Sequence, residues 1–489
     1  MKTAELIAML LYFAVVIAIG VYFFFRDRKH AGEKEYFLGG RQMNGWVAAL
    51  SAGASDMSAW VLMGLPGSIY LLGVGQVWIG IGLAIGTVLS WIFVAPRLRR
   101  YSIRANDSIT IPQFLTNRFL TNNKALQIIS AIVFVIAYCV YSASSIDACG
   151  TLFNTVLGWD KQTAMMIATA LILVYVFLGG FNAVCWTDFF QGLLMLAALM
   201  LAPLFAVFAM NAADFVQPAV NVGEDYYKLV PSAADVLSGL AWGLGYFGMP
   251  HIIVRYISIR SEKEMKRSRV IGSTWTVLIL AASVIVALIG RKFIGDALVA
   301  DGNQNLLFIT IVRAVFPAFI GGILLSAILA AAMSTADSQL LASSSAFASD
   351  IYKPVFRKGA SDKEMLWAGR AMVVVISVIA YLIAVNPNSG GIMALVSNAW
   401  GFFGAAFGPV ILLALYWKRL TYAGAVAGVV VGFGVDFLWF KFLVGSTGIY
   451  ELLPGFLCGL IAAVVVSLIS KAPSKEVTDL FELAKQPVD

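Results

Sequence analysis

The chain returns repeatedly to apolar stretches of about 20 residues, the length a helix needs to cross the hydrocarbon core of a bilayer. Thirteen spans are read on that ruler: 5–25, 45–72, 74–95, 126–157, 163–180, 182–211, 233–257, 269–290, 317–347, 366–385, 390–416, 422–443 and 451–470. The second, fourth, seventh and ninth are long and carry Gly, Ser, Asp or Pro inside, as in tilted or interrupted helices whose freed backbone faces a cavity. Composition agrees. The chain is 60% hydrophobic and 12% charged, with a mean hydropathy of +0.85, against about a quarter charged for soluble domains. A soluble enzyme, a secreted disulfide scaffold and a disordered hub are excluded. The first span is longer than a signal-peptide core, and no small-residue cleavage site follows it. The expected fold class is an all-α polytopic membrane protein of about 13 transmembrane helices.

The net charge of +7 has a location. Most of the 34 Lys and Arg fall at 26–41, 97–124, 255–269, 353–370, 418–419 and 471–485, with Arg28, Lys29 and Arg255 among them. With thirteen spans these clusters share one side, which the positive-inside rule makes cytoplasmic. The N-terminus is then outside and the C-terminus inside, in the cytoplasmic (plasma) membrane. The charge is a topology signal and implies no nucleic-acid partner. Trp46, Trp91, Trp159, Trp417 and Tyr450, near span ends, read as interfacial anchors. The outer loop 291–316 ends in Leu306 to Phe316, a connecting helix or an outer lid.

Cys139, Cys149, Cys185 and Cys458 form no CxxC pair, and His30 and His251 are the two histidines, so neither a disulfide framework nor a histidine metal centre is expected. Function is sought instead among polar groups inside spans, which are costly there. The densest cluster, Ser51-Ala-Gly-Ala-Ser-Asp56-Met-Ser58-Ala-Trp60 in span two, is a poor lipid-facing helix and a good place to unwind one. The alternative is a small-residue packing face, which leaves Asp56 without a role. In span nine, Ser334 and Thr335 lie three and four residues after Ala331 and share its helical face. Carbonyls of Ala54, Met57 and Ala331 with the two hydroxyls would make an oxygen-only cage suited to Na⁺ rather than Ca²⁺. The alternative is that both hydroxyls bond back to their own helix.

Span seven sets Trp242, Tyr246 and Pro250 in one stripe, interleaved with Gly243, Gly245 and Gly248. Span four adds Tyr138, Tyr141, Ser142, Ser144 and Ser145, with Asp147 beyond. Core packing is the commoner use of such a stripe; a pocket for a small zwitterion is the other. His251 reads as a satisfied helix-end group. Asp188 either guides an ion inward or caps the start of span six. For Asp337 and Asp436, pairing with an Arg or a hydroxyl is expected.

These stretches carry a resemblance. Leu38-Gly-Gly-Arg41, Leu50 to Ser58, Leu62-Met-Gly-Leu-Pro-Gly67, Trp186-Thr-Asp188, Trp242 to Gly248, Pro250-His251, Leu324 to Ala331 and Met333-Ser-Thr335 are similar to the sodium/solute symporter family over nearly the whole length. The resemblance implies the leucine-transporter-type fold, a 5+5 inverted repeat with three peripheral helices. It divides the chain into 1–44 (first helix and loop), 45–211 (first repeat), 212–417 (second repeat) and 418–489 (last helices and tail). It implies Na⁺ as the co-transported ion at Ala54, Met57, Ala331, Ser334 and Thr335. It ties Asp56 and Ser58 to coupling, beside the ion-pathway reading of Asp188 given above, and assigns substrate binding to Ser58, Tyr141, Trp242, Tyr246 and Pro250. The implied activity is Na⁺-driven uptake of L-proline through membrane lipid, with no obligatory protein partner and no enzymatic step. Relatives usually carry Gly at Ala59 and Gln at Met249, and some lack acids at Asp147 and Asp337. The alternative is a Na⁺- or H⁺-coupled symporter of another amino acid, a carboxylate or a sugar. A membrane sensor and a membrane enzyme are weaker readings: the tail is short, and no nucleophile–base pair appears.

Overall fold

A computed structural model describes residues 2–27, 33–178, 180–299 and 302–488, so the expectations for Arg28, Lys29 and His30 lie outside the described residues. Regular secondary structure among the described residues is helical, apart from one isolated bridge between Met43 and Ile259. Among the described residues, ten helices are long and apolar enough to cross a membrane, or eleven if the bent pair Ala233–Phe247 and Pro250–Ser258 is one span. That measure does not reach thirteen. The second span is cut at Met57 to Ala59 into Gly45–Asp56 and Trp60–Leu72, each too short alone. The fifth, Lys161–Leu178, contributes only the shorter apolar helix Lys161–Val174. Each span read from the sequence nevertheless has a helix or a broken helix beneath it.

Polar caps fix where several of these helices start. Asn44 accepts hydrogen bonds from the Trp46 and Val47 amides, Ser261 from Glu264, and Thr421 from Gly424, each satisfying a first-turn amide that has no partner within its helix. Interruption is confined to the second and seventh of the four long spans. The fourth, Ala125–Leu157, is one continuous α-helix. The ninth is α-helical over Ala318–Ser345 and continues as a π-helix to Phe356.

The broken helices lie at the centre. Gly45–Asp56 is enclosed by the sixth, eighth and ninth spans and by Pro250–Ser258. The ninth is buried almost continuously from Leu324 to Leu341. The outer faces of the first, sixth, tenth and thirteenth spans expose Leu10, Phe208, Leu382 and Ile461, an apolar exterior suited to lipid. The twelfth and thirteenth, Tyr422–Phe442 and Leu452–Ile469, pack along each other and on the eleventh, Gly391–Tyr416.

Other expectations are corrected. Trp91 and Tyr450, read as interfacial anchors, are buried, whereas Trp46 and Trp159 are exposed. Trp91 fills the space beside Gly272 and sits 4.4 Å from the Tyr256 ring. The outer helix Gln304–Val315 is a packed connector, with Leu307, Phe308, Ile311 and Val312 buried and Arg313 bonded to Glu5 and to the Thr155 carbonyl. Part of the basic clustering is structural, not orientational. Arg41, Arg99 and Arg118 are buried on backbone carbonyls, and Arg99 holds the Val488 carbonyl of the tail at 2.8 Å.

The third and seventh spans touch backbone to backbone. A Cβ on Gly86 would meet the Gly243 carbonyl oxygen at 2.2 Å, and one on Gly243 the Gly82 oxygen at 2.3 Å. Replacing Gly86 by Val should therefore push the seventh span outward at a cost of about 1–3 kcal/mol or more. The check is the melting temperature of the purified protein; an unchanged midpoint would contradict this contact.

Candidate functional site

Two helix breaks face each other. At the first, the Ser58 amide, which in a continuous helix would bond the Ala54 carbonyl, turns instead to the Asp56 carbonyl at 2.9 Å. The Val61 amide, due to Met57, bonds the Ser58 carbonyl at 3.1 Å. Both carbonyls expected to serve the cage, Ala54 and Met57, thus lose their helical donors. The Ser334 hydroxyl of the ninth span donates to the Ala54 carbonyl at 2.8 Å and approaches the Ala331 carbonyl at 3.1 Å. Thr335 Oγ1 is fully buried with no hydrogen-bond partner. The alternative, that both hydroxyls simply bond back, fails for Thr335 and is half true for Ser334. The Ser334 hydroxyl thus joins the break to the ninth span, with the unpartnered Thr335 hydroxyl on the next residue.

At the second break, Trp242 to Phe247 narrows to a 3-10 helix before Pro250–Ser258 resumes 43° away. Its carbonyls are met by side chains: Trp400 Nε1 donates to Trp242 O at 2.8 Å, and Ser90 Oγ to Tyr246 O at 3.1 Å. Gly245 makes room for Trp400, whose Nε1 would lie 2.0 Å from a Cβ there. The Tyr246 hydroxyl crosses to donate to the Asp56 carboxylate, while Tyr141 OH and Trp60 Nε1 reach the Asp56 carbonyl at 3.3 and 3.2 Å. Asp56 Oδ1 is buried without a partner. Trp242 stacks on Tyr450 at 5.0 Å and lies 6.3 Å from Trp400 and 6.4 Å from Trp60.

Asp56, Tyr141, Trp242 and Tyr246 are therefore brought together, with Ser58 at the break itself. Pro250 is not. It lines a small inner cavity with Thr110, Phe181, Arg255 and Ser338, which shares Ile109 with a wider opening of about 700 Å³. On the opposite side, a cavity of about 240 Å³ is bounded by Asp235, Ser238, Trp242, Ser397, Tyr450 and Glu451. Trp242 and Tyr450, which stack on each other, both form part of its wall.

Asp188 does not cap its helix, which begins at Phe181. It accepts from Ser51 Oγ at 2.6 Å and pairs with Arg255 at 3.2 Å, both charged side chains being fully buried. Arg255 also donates to Ser51 Oγ, the His251 carbonyl and, at 2.5 Å, Ser338 Oγ. Counting Arg255 with the cytoplasmic charges was thus misleading. Asp337 has the expected hydroxyl, Ser338 at 3.3 Å, and Asp147 pairs with Lys161 at 2.7 Å. His251, buried at the start of the resumed helix, meets Tyr138 and leaves Nε2 unpartnered.

The sequence reading missed Arg255, Trp400 and Tyr450 as parts of this centre. Gly245 and Gly404, which leave room around the seventh span, were the available signal for Trp400. Arg255 falls inside the seventh span, 233–257, and a charge within an apolar stretch was the available signal for it.

A family model described as the sodium:solute symporter family matches residues 36–432. The chain belongs to that family. It is a multi-pass membrane transporter, not an enzyme. Among curated relatives of this sodium:solute symporter, the high-affinity proline transporter PutP of Bacillus subtilis (strain 168) is 44% identical over 94% of this chain and 97% of its own length. The sodium/proline symporter of Escherichia coli (strain K12) is 41% identical over 98% of this chain and 96% of its own. A solved Na⁺-coupled sialic acid symporter in a substrate-bound outward-open state superposes with a TM-score of 0.73 at 20% identity, covering 96% of this chain and 99% of that one. MhsT in complex with L-phenylalanine gives 0.54 at 15%, covering 87% and 97%. These structural likenesses establish the leucine-transporter-type fold.

Removing one member of the buried pair should be worse than removing both. Arg255→Met or Asp188→Leu alone strands a charge, at about 3–5 kcal/mol, and the double variant should recover part of the loss. Melting temperatures of the four proteins test this; strictly additive losses would show that the pair is not coupled.

Proposed function

We propose that the chain takes up L-proline together with Na⁺ across the cytoplasmic membrane, its N-terminus outside and its C-terminus in the cytoplasm. The observation that carries this reading is the Ser334 hydroxyl bonded to the freed Ala54 carbonyl at a helix break, beside the unpartnered Thr335 in the chain. Relatives named as proline transporters or sodium/proline symporters, at 44% and 41% identity over nearly the full length, support the solute and the ion.

In this reading, Na⁺ is held by the carbonyls of Ala54, Met57 and Ala331 and the hydroxyls of Ser334 and Thr335. A small hard cation prefers such oxygens, and the site carries no formal charge of its own. Binding replaces the Ser334–Ala54 hydrogen bond by ion contacts and ties the second span to the ninth. Proline sits against Tyr141, Trp242 and Tyr246 near Ser58, its ring on aromatic faces and its charged ends toward freed backbone groups. Asp56 links ion and solute, because it belongs to the first break and receives the Tyr246 hydroxyl from the second. Pro250 and Asp188 belong to the inward route beside the cavity lined by Arg255 and Ser338. The membrane potential contributes about 2.3 kcal/mol per charge per 100 mV, roughly a fifty-fold concentration ratio for one Na⁺.

The architecture is partitioned accordingly. Residues 45–211 and 212–417 form two repeats of five spans, each opening on a broken helix, while 1–44 and 418–489 carry the peripheral spans. The membrane lipid and the two solutes are the partners of this reading.

Uptake of radiolabelled proline into proteoliposomes, with Na⁺ or choline outside and a panel of unlabelled amino acids, carboxylates and sugars as competitors, tests the assignment. Proline should compete best and only Na⁺ should drive accumulation. Stronger competition by another solute, or uptake driven by H⁺ without Na⁺, would overturn it. Trp242→Ala or Tyr246→Ala should raise the KM for proline at least tenfold with Na⁺ binding retained; equal losses of both would indicate general misfolding instead of a solute contact.

A further inference from the structure

Outside the transport centre, one polar feature of the peripheral helices lacks any partner. Asp436, in the twelfth span, is fully buried, and neither carboxylate oxygen has a hydrogen-bond donor. Its carboxylate lies against Gly401 of the eleventh span, and its Cβ against Gly455 in the first turns of the thirteenth. One turn before Gly455, whose amide bonds the Glu451 carbonyl at 3.1 Å, stands another acid, Glu451, which is 3% exposed and has Oε1 unpartnered. Tyr450, the adjacent hydroxyl, is committed elsewhere, donating to the Ser397 carbonyl at 2.7 Å. Lys441, the basic residue on the same helix, points out and is exposed. The N-terminal dipole of the thirteenth span amounts to about half a positive charge, which does not balance two carboxylates.

Two buried acids on adjoining turns of packed helices do not both remain ionised without a counter-charge. The environment shows how one reaches them. Glu451 lines the cavity of about 240 Å³ together with Asp235, Ser238 and Trp242, and no Lys or Arg is part of that wall. Among the described residues no third His, Cys, Asp or Glu completes a cluster, so the ligand set lacks the several carboxylates that a divalent ion recruits. We propose that Asp436 and Glu451 form a second, peripheral site for a monovalent alkali cation, entered from the cavity that Trp242 bounds. The site is built by the eleventh, twelfth and thirteenth spans and does not depend on the transport reading. A cation there neutralises the acid between these helices and holds Tyr450 against Trp242, where the two rings stack at 5.0 Å.

The test is equilibrium binding of ²²Na⁺ to the purified full-length protein in lipid nanodiscs, with KCl as a competing arm and choline chloride as the inert one. Wild type should bind one more Na⁺ per chain than Asp436→Asn, and the Ser334→Ala/Thr335→Ala variant should keep that peripheral ion. Excess KCl should reduce the peripheral binding and choline should not. In Na⁺-free buffer Asp436→Asn, which removes an uncompensated charge, should melt no lower than wild type, so its lost ion is not a folding defect. Should that variant fail to fold, Glu451→Gln at the cavity wall reads the same stoichiometry. Equal Na⁺ binding in wild type and a folded Asp436→Asn or Glu451→Gln protein would overturn the proposal and leave a shared proton as the neutralising group.

Discussion

A carbonyl or amide freed inside a membrane helix has no water to bond, so every break in such a helix must be answered by another part of the protein. The described core is arranged around two such answers. The first break delivers the Ala54 carbonyl to Ser334 of the ninth span and the Asp56 carbonyl to Trp60 and Tyr141, and it frees the Met57 carbonyl from its helical donor. The second delivers the carbonyls of Trp242 and Tyr246 to Trp400 and Ser90. The Asp56–Tyr246 bond joins the two breaks directly. The surrounding continuous helices supply the donors and hold the geometry.

This arrangement gives the proposed ion and solute sites a shared element. A ligand shifts a conformational equilibrium only through the difference in its affinity for the two states. Na⁺ held by two spans favours the arrangement in which those spans are close, and that arrangement also sets Asp56 and Tyr246 beside the aromatic stack. By linkage, proline must then favour Na⁺ as much as Na⁺ favours proline. The buried Arg255–Asp188 pair connects the second, sixth, seventh and ninth spans through Ser51 and Ser338.

Much of this was legible in the sequence because membrane burial turns composition into position. Apolar length located the helices, and Ser, Asp and Gly inside the second span marked a real break. The i, i+3, i+4 spacing of Ala331, Ser334 and Thr335 placed them on one face, and the structure sets that face toward Ala54. What stayed hidden depends on which faces meet. The same polar density in the fourth and ninth spans did not break them, since Ser144 and Ser334 bond carbonyls without displacing the helix. Arg255 was grouped with the exposed basic residues that follow it, and its buried partners Asp188, Ser51 and Ser338 lie far away in sequence. Trp91 and Tyr450 sit near span ends, yet packed neighbours occupy the places where lipid headgroups were expected. Asp436 was expected to find an Arg or a hydroxyl, and neither of its carboxylate oxygens has a donor.

The central claim is that one ion, shared by the second and ninth spans, sets the affinity for proline. Its most direct test is the binding of labelled proline to purified protein across a Na⁺ titration, in wild type and in Thr335→Ala. Thr335 suits this purpose because its hydroxyl makes no other hydrogen bond. The account predicts that Na⁺ tightens proline binding at least tenfold in wild type. In Thr335→Ala the tightening should need far more Na⁺, while the affinity without Na⁺ stays the same. An unchanged Na⁺ midpoint in that variant would place the coupling ion elsewhere and contradict the account.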